Sequence, residues 1–130
     1  MKKVLQALCV AALVSLLASC PPAALRLKVH VENNSAIEVI ERVVLGNLNG
    51  PQMFEEITEN LLSEPLGPGD QKNIFLRASD AAGAKGITVQ LPGGSVFSSN
   101  LVEEFMDGMT VNAVLADGVS FLTIDFTVEP

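Results

Sequence analysis

Catalysis near neutral pH calls first for a group that titrates there, and histidine is the usual one. The chain holds one, His30. It lies in Arg26–Glu32, where Leu27, Val29 and Val31 alternate with Arg26, Lys28, His30 and Glu32. A strand would turn His30 to the polar face beside Lys28 and Glu32, the setting of a solvated histidine rather than a catalytic one. Two carboxylate groups, Glu55-Glu56-Glu59 and Glu103-Glu104-Asp107, have the side chains for acid–base work or calcium. Calcium prefers loops with several convergent oxygens, and these residues read as the wet faces of helices. No segment matches G-x-S-x-G, S-x-x-K or a phosphate-binding glycine loop, and Gly93-Gly94-Ser95 reads as a turn. Zinc would need several His or Cys ligands. No catalytic residue, metal site or cofactor is expected, and the chain is not expected to be an enzyme.

The thiols carry the chemistry that remains. There are two cysteines, Cys9 and Cys20. Lys2 and Lys3 form a positive start, and Val4 to Leu17 is an apolar run of 14 residues interrupted only by Gln6 and Ser15. Small residues Ala18 and Ser19 follow, completing the layout of an export signal. Fourteen residues in a helix span about 21 Å, short of the ~30 Å hydrocarbon core of a bilayer, so a transmembrane anchor is the weaker reading. An ordinary signal cut after Ser19 would put bulky Leu17 three residues before it, against the A-x-A pattern.

The sequence Leu17-Ala18-Ser19-Cys20 resembles the lipobox of bacterial lipoproteins. The resemblance implies that a diacylglycerol is attached to the Cys20 sulfur, since a thiolate is the nucleophile that takes it up. It implies cleavage between Ser19 and Cys20, where small residues let the backbone into a tight protease cleft. Two or more acyl chains give a stable anchor. Pro21 and Pro22 stand where an Asp would resemble an inner-membrane retention signal, so the outer membrane is favoured. The expected organisation is a signal peptide over residues 1–19, a lipidated cysteine with a stiff spacer over 20–25, and one domain over 26–130. Cys9 leaves with the signal, and a single lipidated cysteine cannot form an internal disulfide.

A chain of 130 residues has room for one domain, and with 48% apolar residues it is not compositionally disordered. All 15 acidic residues follow Cys20, whereas Lys2 and Lys3 precede it. Against the six basic residues that remain of the eight, the expected mature part carries −9. That charge argues against nucleic acid and against adhesion to anionic lipid through a basic patch.

Strands dominate the pattern. Arg26–Glu32 and Ile37–Leu45, separated by the turn residues Asn33-Asn34-Ser35, predict an antiparallel hairpin. Asp117-Gly118 between apolar runs predicts a second one with a two-residue loop. Ala116 would then oppose Val119, Leu115 Ser120, Ala113 Leu122, Val111 Ile124 and Met109 Phe126. One face would carry Met109, Val111, Ala113, Leu115, Leu122, Ile124 and Phe126 with Ser120 its only polar member, and the other Thr110, Asn112, Thr123 and Asp125, turning apolar at Val114 and Phe121; a wrong register would mix the two sets. Asn73–Arg77 and Gly86–Leu91 also read as strands, joined near Asp80-Ala81-Ala82-Gly83. About six strands at short spacing predict a mostly β fold, a small antiparallel β-sandwich. Two short helices are predicted beside it. One carries Phe54, Ile57 and Leu61 after Pro51; the other carries Leu101, Val102, Phe105 and Met106, capped by Asn100 and ended by Gly108.

Asn33-Asn34-Ser35, Asn60-Leu61-Leu62, Leu66-Gly67-Pro68-Gly69 and Arg77-Ala78-Ser79-Asp80 together resemble a group of small secreted bacterial domains of immunoglobulin- or transthyretin-like type. The resemblance implies a sandwich and no particular activity. The expected function is a lipid-anchored, non-enzymatic interaction or structural module of the cell envelope. Its membrane contact would run through the lipid on Cys20, and an envelope protein would be its partner. Residues 46–70 are the expected recognition surface, because long connections often carry function. The alternative is a periplasm-facing carrier or sensor of a small apolar ligand or lipid, with Met53, Met106 and Met109 lining an adaptable pocket.

Overall fold

The computed structural model describes residues 25–51 and 53–130. The expected signal, the cut between Ser19 and Cys20 and the lipidated Cys20 lie outside the described residues. Among the described residues eight strands follow one another: β1 (Leu27–Asn34), β2 (Arg42–Leu48), β3 (Phe54–Glu56), β4 (Gln71–Leu76), β5 (Gly86–Gln90), β6 (Val96–Asn100), β7 (Thr110–Asp117) and β8 (Leu122–Glu129). They form two four-stranded sheets, ordered β4-β1-β7-β8 and β3-β2-β5-β6. The fold is a mostly β sandwich, as the strand pattern predicts.

Every neighbouring pair is antiparallel except β1 and β7, which run parallel with Val29 beside Val111 and Val31 beside Ala113. Burial follows the period of two on β1 and β7, while on β2 and β5 the outward Val44 and Thr88 are buried as well. Leu27, Val29 and Val31 of β1, Val43 and Leu45 of β2, Ile87 and Val89 of β5, and Val111, Ala113 and Leu115 of β7 are fully buried and pack as one core between the sheets. Alternate residues on each strand point outward, so one face of each sheet is dry.

The expected hairpin of β1 with β2 does not form, and each strand lies in a different sheet. The cause is the side chain of Asn33, which is fully buried. Its Nδ2 donates to the carbonyls of Glu38 (2.9 Å) and Leu66 (3.0 Å), and its Oδ1 accepts from the Ser35 amide (3.1 Å) and hydroxyl (2.6 Å). These bonds turn the chain out of the first sheet, and residues 35–41 cross to the second. Asn33 also joins the motifs by its backbone, donating to Asp70 O at 2.9 Å and accepting from Gly69 N at 2.7 Å. The N-x-S turn and the L-x-P-G turn are two halves of one corner.

Neither predicted helix forms. Phe54–Glu56 is the short edge strand β3, and residues 57–62 continue along β2 without becoming a strand. Ile57 and Thr58 donate their amides to Leu45 O, Leu61 donates to Val43 O, Thr58 Oγ1 accepts from Leu45 N and Asn60 Oδ1 accepts from Val43 N. A helix would withdraw all of those groups from β2. The second segment is a run of bends in which Leu101 and Val102 both donate to Lys85 O, while Phe105 is buried under the core at 3% exposure. Asn100 caps no helix; its side chain receives Leu48 N and donates to Leu48 O, each at 2.9 Å. The short helix among the described residues is instead a 3-10 turn at Ala78–Ala81.

The C-terminal hairpin forms with a longer loop. Asp117 opposes Leu122, Leu115 opposes Ile124, Ala113 opposes Phe126 and Val111 opposes Val128. The loop is Gly118–Phe121, closed by Gly118 N to Phe121 O at 2.8 Å. Val111 meets Val128 where the two-residue loop would bring it Ile124, a displacement of four residues. Four is an even number, so each residue still in a strand keeps its expected face while its partner changes, and Val119, Ser120 and Phe121, expected in the second strand, lie in the loop.

Candidate interaction surface

The outer face of the second sheet is built around two glycines. Gly46 on β2 and Gly86 on β5 lie opposite each other. A Cβ on Gly46 would sit 2.0 Å from Glu55 O, and one on Gly86 would sit 2.2 Å from Ser99 O. Only glycine lets the neighbouring strands approach this closely. Thr88 follows on the same face and its Oγ1 meets Ser98 Oγ at 2.6 Å, with Thr88 only 6% exposed. Above this floor, Leu48, Pro51 and Phe54 face Gly94, Val96 and Ser98 across an open recess of about 480 Å³. Val96 stands 53% exposed. At the start of β2, Arg42 pairs with Glu56 at 2.6 Å. That bond holds the Glu56 carboxyl below its ordinary range and raises Arg42.

The expected recognition stretch, residues 46–70, supplies one wall of this recess; β6 supplies the other, which the pattern of the sequence does not pair with it. Among the described residues the stretch also borders three further recesses. One, of about 210 Å³, lies over Leu62–Leu66 and Asp70–Lys72; another, of about 450 Å³, lies over Ile57–Leu61, Leu76 and Asp80. The last, also about 450 Å³, is bounded by Asn49, Met53, Phe54 and Glu55. All are open to solvent. The three methionines expected to share a pocket do not converge on one: Met53 is 70% and Met106 55% exposed, while Met109 is half-buried with its Sδ accepting from Met106 N.

Several of the polar residues singled out by type have structural partners, His30, Glu55 and Asp107 among them. His30 has a side chain only 20% exposed, with Nδ1 bonded to Asn73 Oδ1 across from it on β4 and Nε2 3.5 Å from Glu32. Glu55 accepts from Asn49 Nδ2 at 3.1 Å, and Asp107 accepts from Ala78 N at 2.8 Å. Glu103 and Glu104 are exposed on a bend. Asp117 accepts from Ala36 N at 2.8 Å, sewing the loop after β1 to the tip of the C-terminal hairpin. At that tip Val119 is fully exposed and Phe121 is 73% exposed, with Ile37 exposed in the adjoining loop. Among the described residues no three His, Cys, Asp or Glu side chains gather as metal ligands. No described helix is long and apolar enough to cross a membrane.

Comparison of the chain with protein-family models, with curated proteins and with solved structures gives no match.

Proposed function

We propose that the chain is a lipid-anchored protein of the bacterial cell envelope whose sandwich acts as a non-enzymatic interaction or structural module. The observation that carries the reading is Leu17-Ala18-Ser19-Cys20 directly after a basic start and an apolar run. Diacylation of the Cys20 thiol anchors the protein, and the outer membrane is its favoured address. The first strand begins at Leu27, so six residues separate it from Cys20. At about 3.3–3.6 Å per residue the tether reaches roughly 25 Å at most, which keeps the folded domain close to the bilayer. The two-sheet sandwich and the corner joining its N-x-S and L-x-P-G turns support the resemblance to small secreted immunoglobulin- or transthyretin-like domains.

The outer-face recess between Phe54 and Val96 is the surface proposed for an envelope protein partner, since exposed Val96 and Pro51 and half-buried Leu48 and Phe54 border it together. The test compares wild type with Cys20→Ala in native membranes, with a photocrosslinking residue at Val96. Wild type should sediment with membranes, carry the mass of the lipid on its N-terminal peptide and yield an adduct lost in Cys20→Ala. An unmodified Cys20 would refute the anchor. A lipidated protein giving no protein adduct from position 96 would refute the module reading of this face.

A further inference from the structure

The four sheet edges are not equally guarded. β3 has three residues, two of them glutamates, and β6 has five and closes with Asn100 turned back onto Leu48. β4 has six and carries Lys72. β8 is different: it is eight residues long, Leu122–Glu129, with no Lys, Arg, Pro or Gly in it. Short length, lysine and proline are among the devices that stop an edge from pairing; β8 has none of these three, and its only charges are the carboxylates of Asp125 and Glu129. Among the described residues it has β7 on one side and no strand on the other. Its inward residues Leu122, Ile124, Phe126 and Val128 are only half-buried, whereas Val111, Ala113 and Leu115 beside them on β7 are fully buried. An unpaired backbone row thus runs along an apolar margin that the opposite sheet does not finish covering.

We infer that β8 is a self-pairing edge: two copies of the chain join β8 to β8 antiparallel, about a two-fold axis at Phe126, into one eight-stranded sheet. The charges choose the register. A two-fold perpendicular to the sheet keeps faces matched, so the axis must fall on a residue. At Asp125 it would set that carboxylate against its own copy, and at Thr127 it would set Asp125 against Glu129, both destabilising. At Ile124 only the five strand residues Leu122–Phe126 would pair. At Phe126, seven pair: Asp125 lies opposite Thr127, Thr123 opposite Glu129 and Ile124 opposite Val128, with the two Phe126 rings side by side at the axis. No carboxylate then faces another, and each copy covers the other's apolar margin. The inference stands independently of the lipid anchor.

The register gives a specific test. The full chain is produced with Thr123→Cys, with Glu129→Cys and with both, and its native membranes are treated with a short thiol-to-thiol crosslinker. Both positions are exposed, so the fold is not at stake. In the inferred pair the thiol placed at position 123 lies across from the thiol placed at position 129 of the other copy. In either single variant the two thiols are six residues apart along the strand, about 20 Å. The double variant should give a covalent dimer several-fold more abundant than either single variant. Equal yields from all three, no dimer from the double variant, or an adduct of the double variant to a different protein would each overturn the inference. Wild type serves as the lane that reads the anchor separately: crosslinking there reports a free Cys20 and bears on the lipid reading alone.

Discussion

Asn33 is the residue on which the first corner depends. Its buried side chain satisfies two carbonyls and two donors of Ser35, which uses its full hydrogen-bonding capacity. Removing it strands those groups in a dry site, and each stranded group costs about 1–3 kcal/mol. Asn33→Ala should therefore lower the urea midpoint by an amount equivalent to about 2–3 kcal/mol without changing the slope of the transition. Ser35→Ala removes one hydroxyl and should cost only about 1 kcal/mol. Equal, small losses in both would show that the corner does not rest on Asn33. Gly86 makes a second demand at this scale. A methyl group 2.2 Å from Ser99 O forces β5 and β6 apart, so Gly86→Ala should cost about 1–3 kcal/mol, read by the same titration.

The elements have their own tests. The Arg42–Glu56 pair ties β2 to the edge strand β3, and its bond depresses the Glu56 carboxyl. A depressed carboxyl contributes stability that is fully present above its unfolded value, about 4.3, and is lost as pH falls through the folded one. Wild type should thus exceed Glu56→Gln at pH 7 and equal it once the pH is well below 4. With side chains 34% and 44% exposed, the gap is screened and stays under about 1 kcal/mol. Thermal unfolding of both proteins across that range checks the sign. The hairpin tip makes the opposite prediction. Val119 and Phe121 contribute little to the core, so Val119→Ser and Phe121→Ser should each change stability by less than about 0.5 kcal/mol.

For the whole molecule, the proposed anchor and the fold are expected to separate. Among the described residues the core runs from Leu27 to Val128 and closes between the two sheets. Cys20→Ala should move the protein out of the membrane fraction while leaving the unfolding temperature of the sandwich unchanged. A fall in that temperature, measured by circular dichroism on purified protein, would mean the N-terminal segment supports the fold.

Much of this was legible in one dimension. Alternation along Leu27–Val31 and Val111–Leu115 marks which side chains are buried, because successive strand residues must face opposite ways. That rule survives a four-residue change of register, so the faces of the C-terminal hairpin are correct even though its partners are not. The proposed lipobox rests on local sequence as well, on Leu17-Ala18-Ser19-Cys20 together with the basic start and apolar run before it. Partner choice is not local. Whether Asn33 ends a hairpin or throws the chain into another sheet depends on carbonyls at Glu38 and Leu66 that the fold brings to it. The apolar spacing of Phe54, Ile57 and Leu61 suits a helix, but the free edge of β2 claims their backbone groups first. The recess between Phe54 and Val96 joins residues far apart along the chain, and only the packing of β3, β2, β5 and β6 into one sheet makes it a surface.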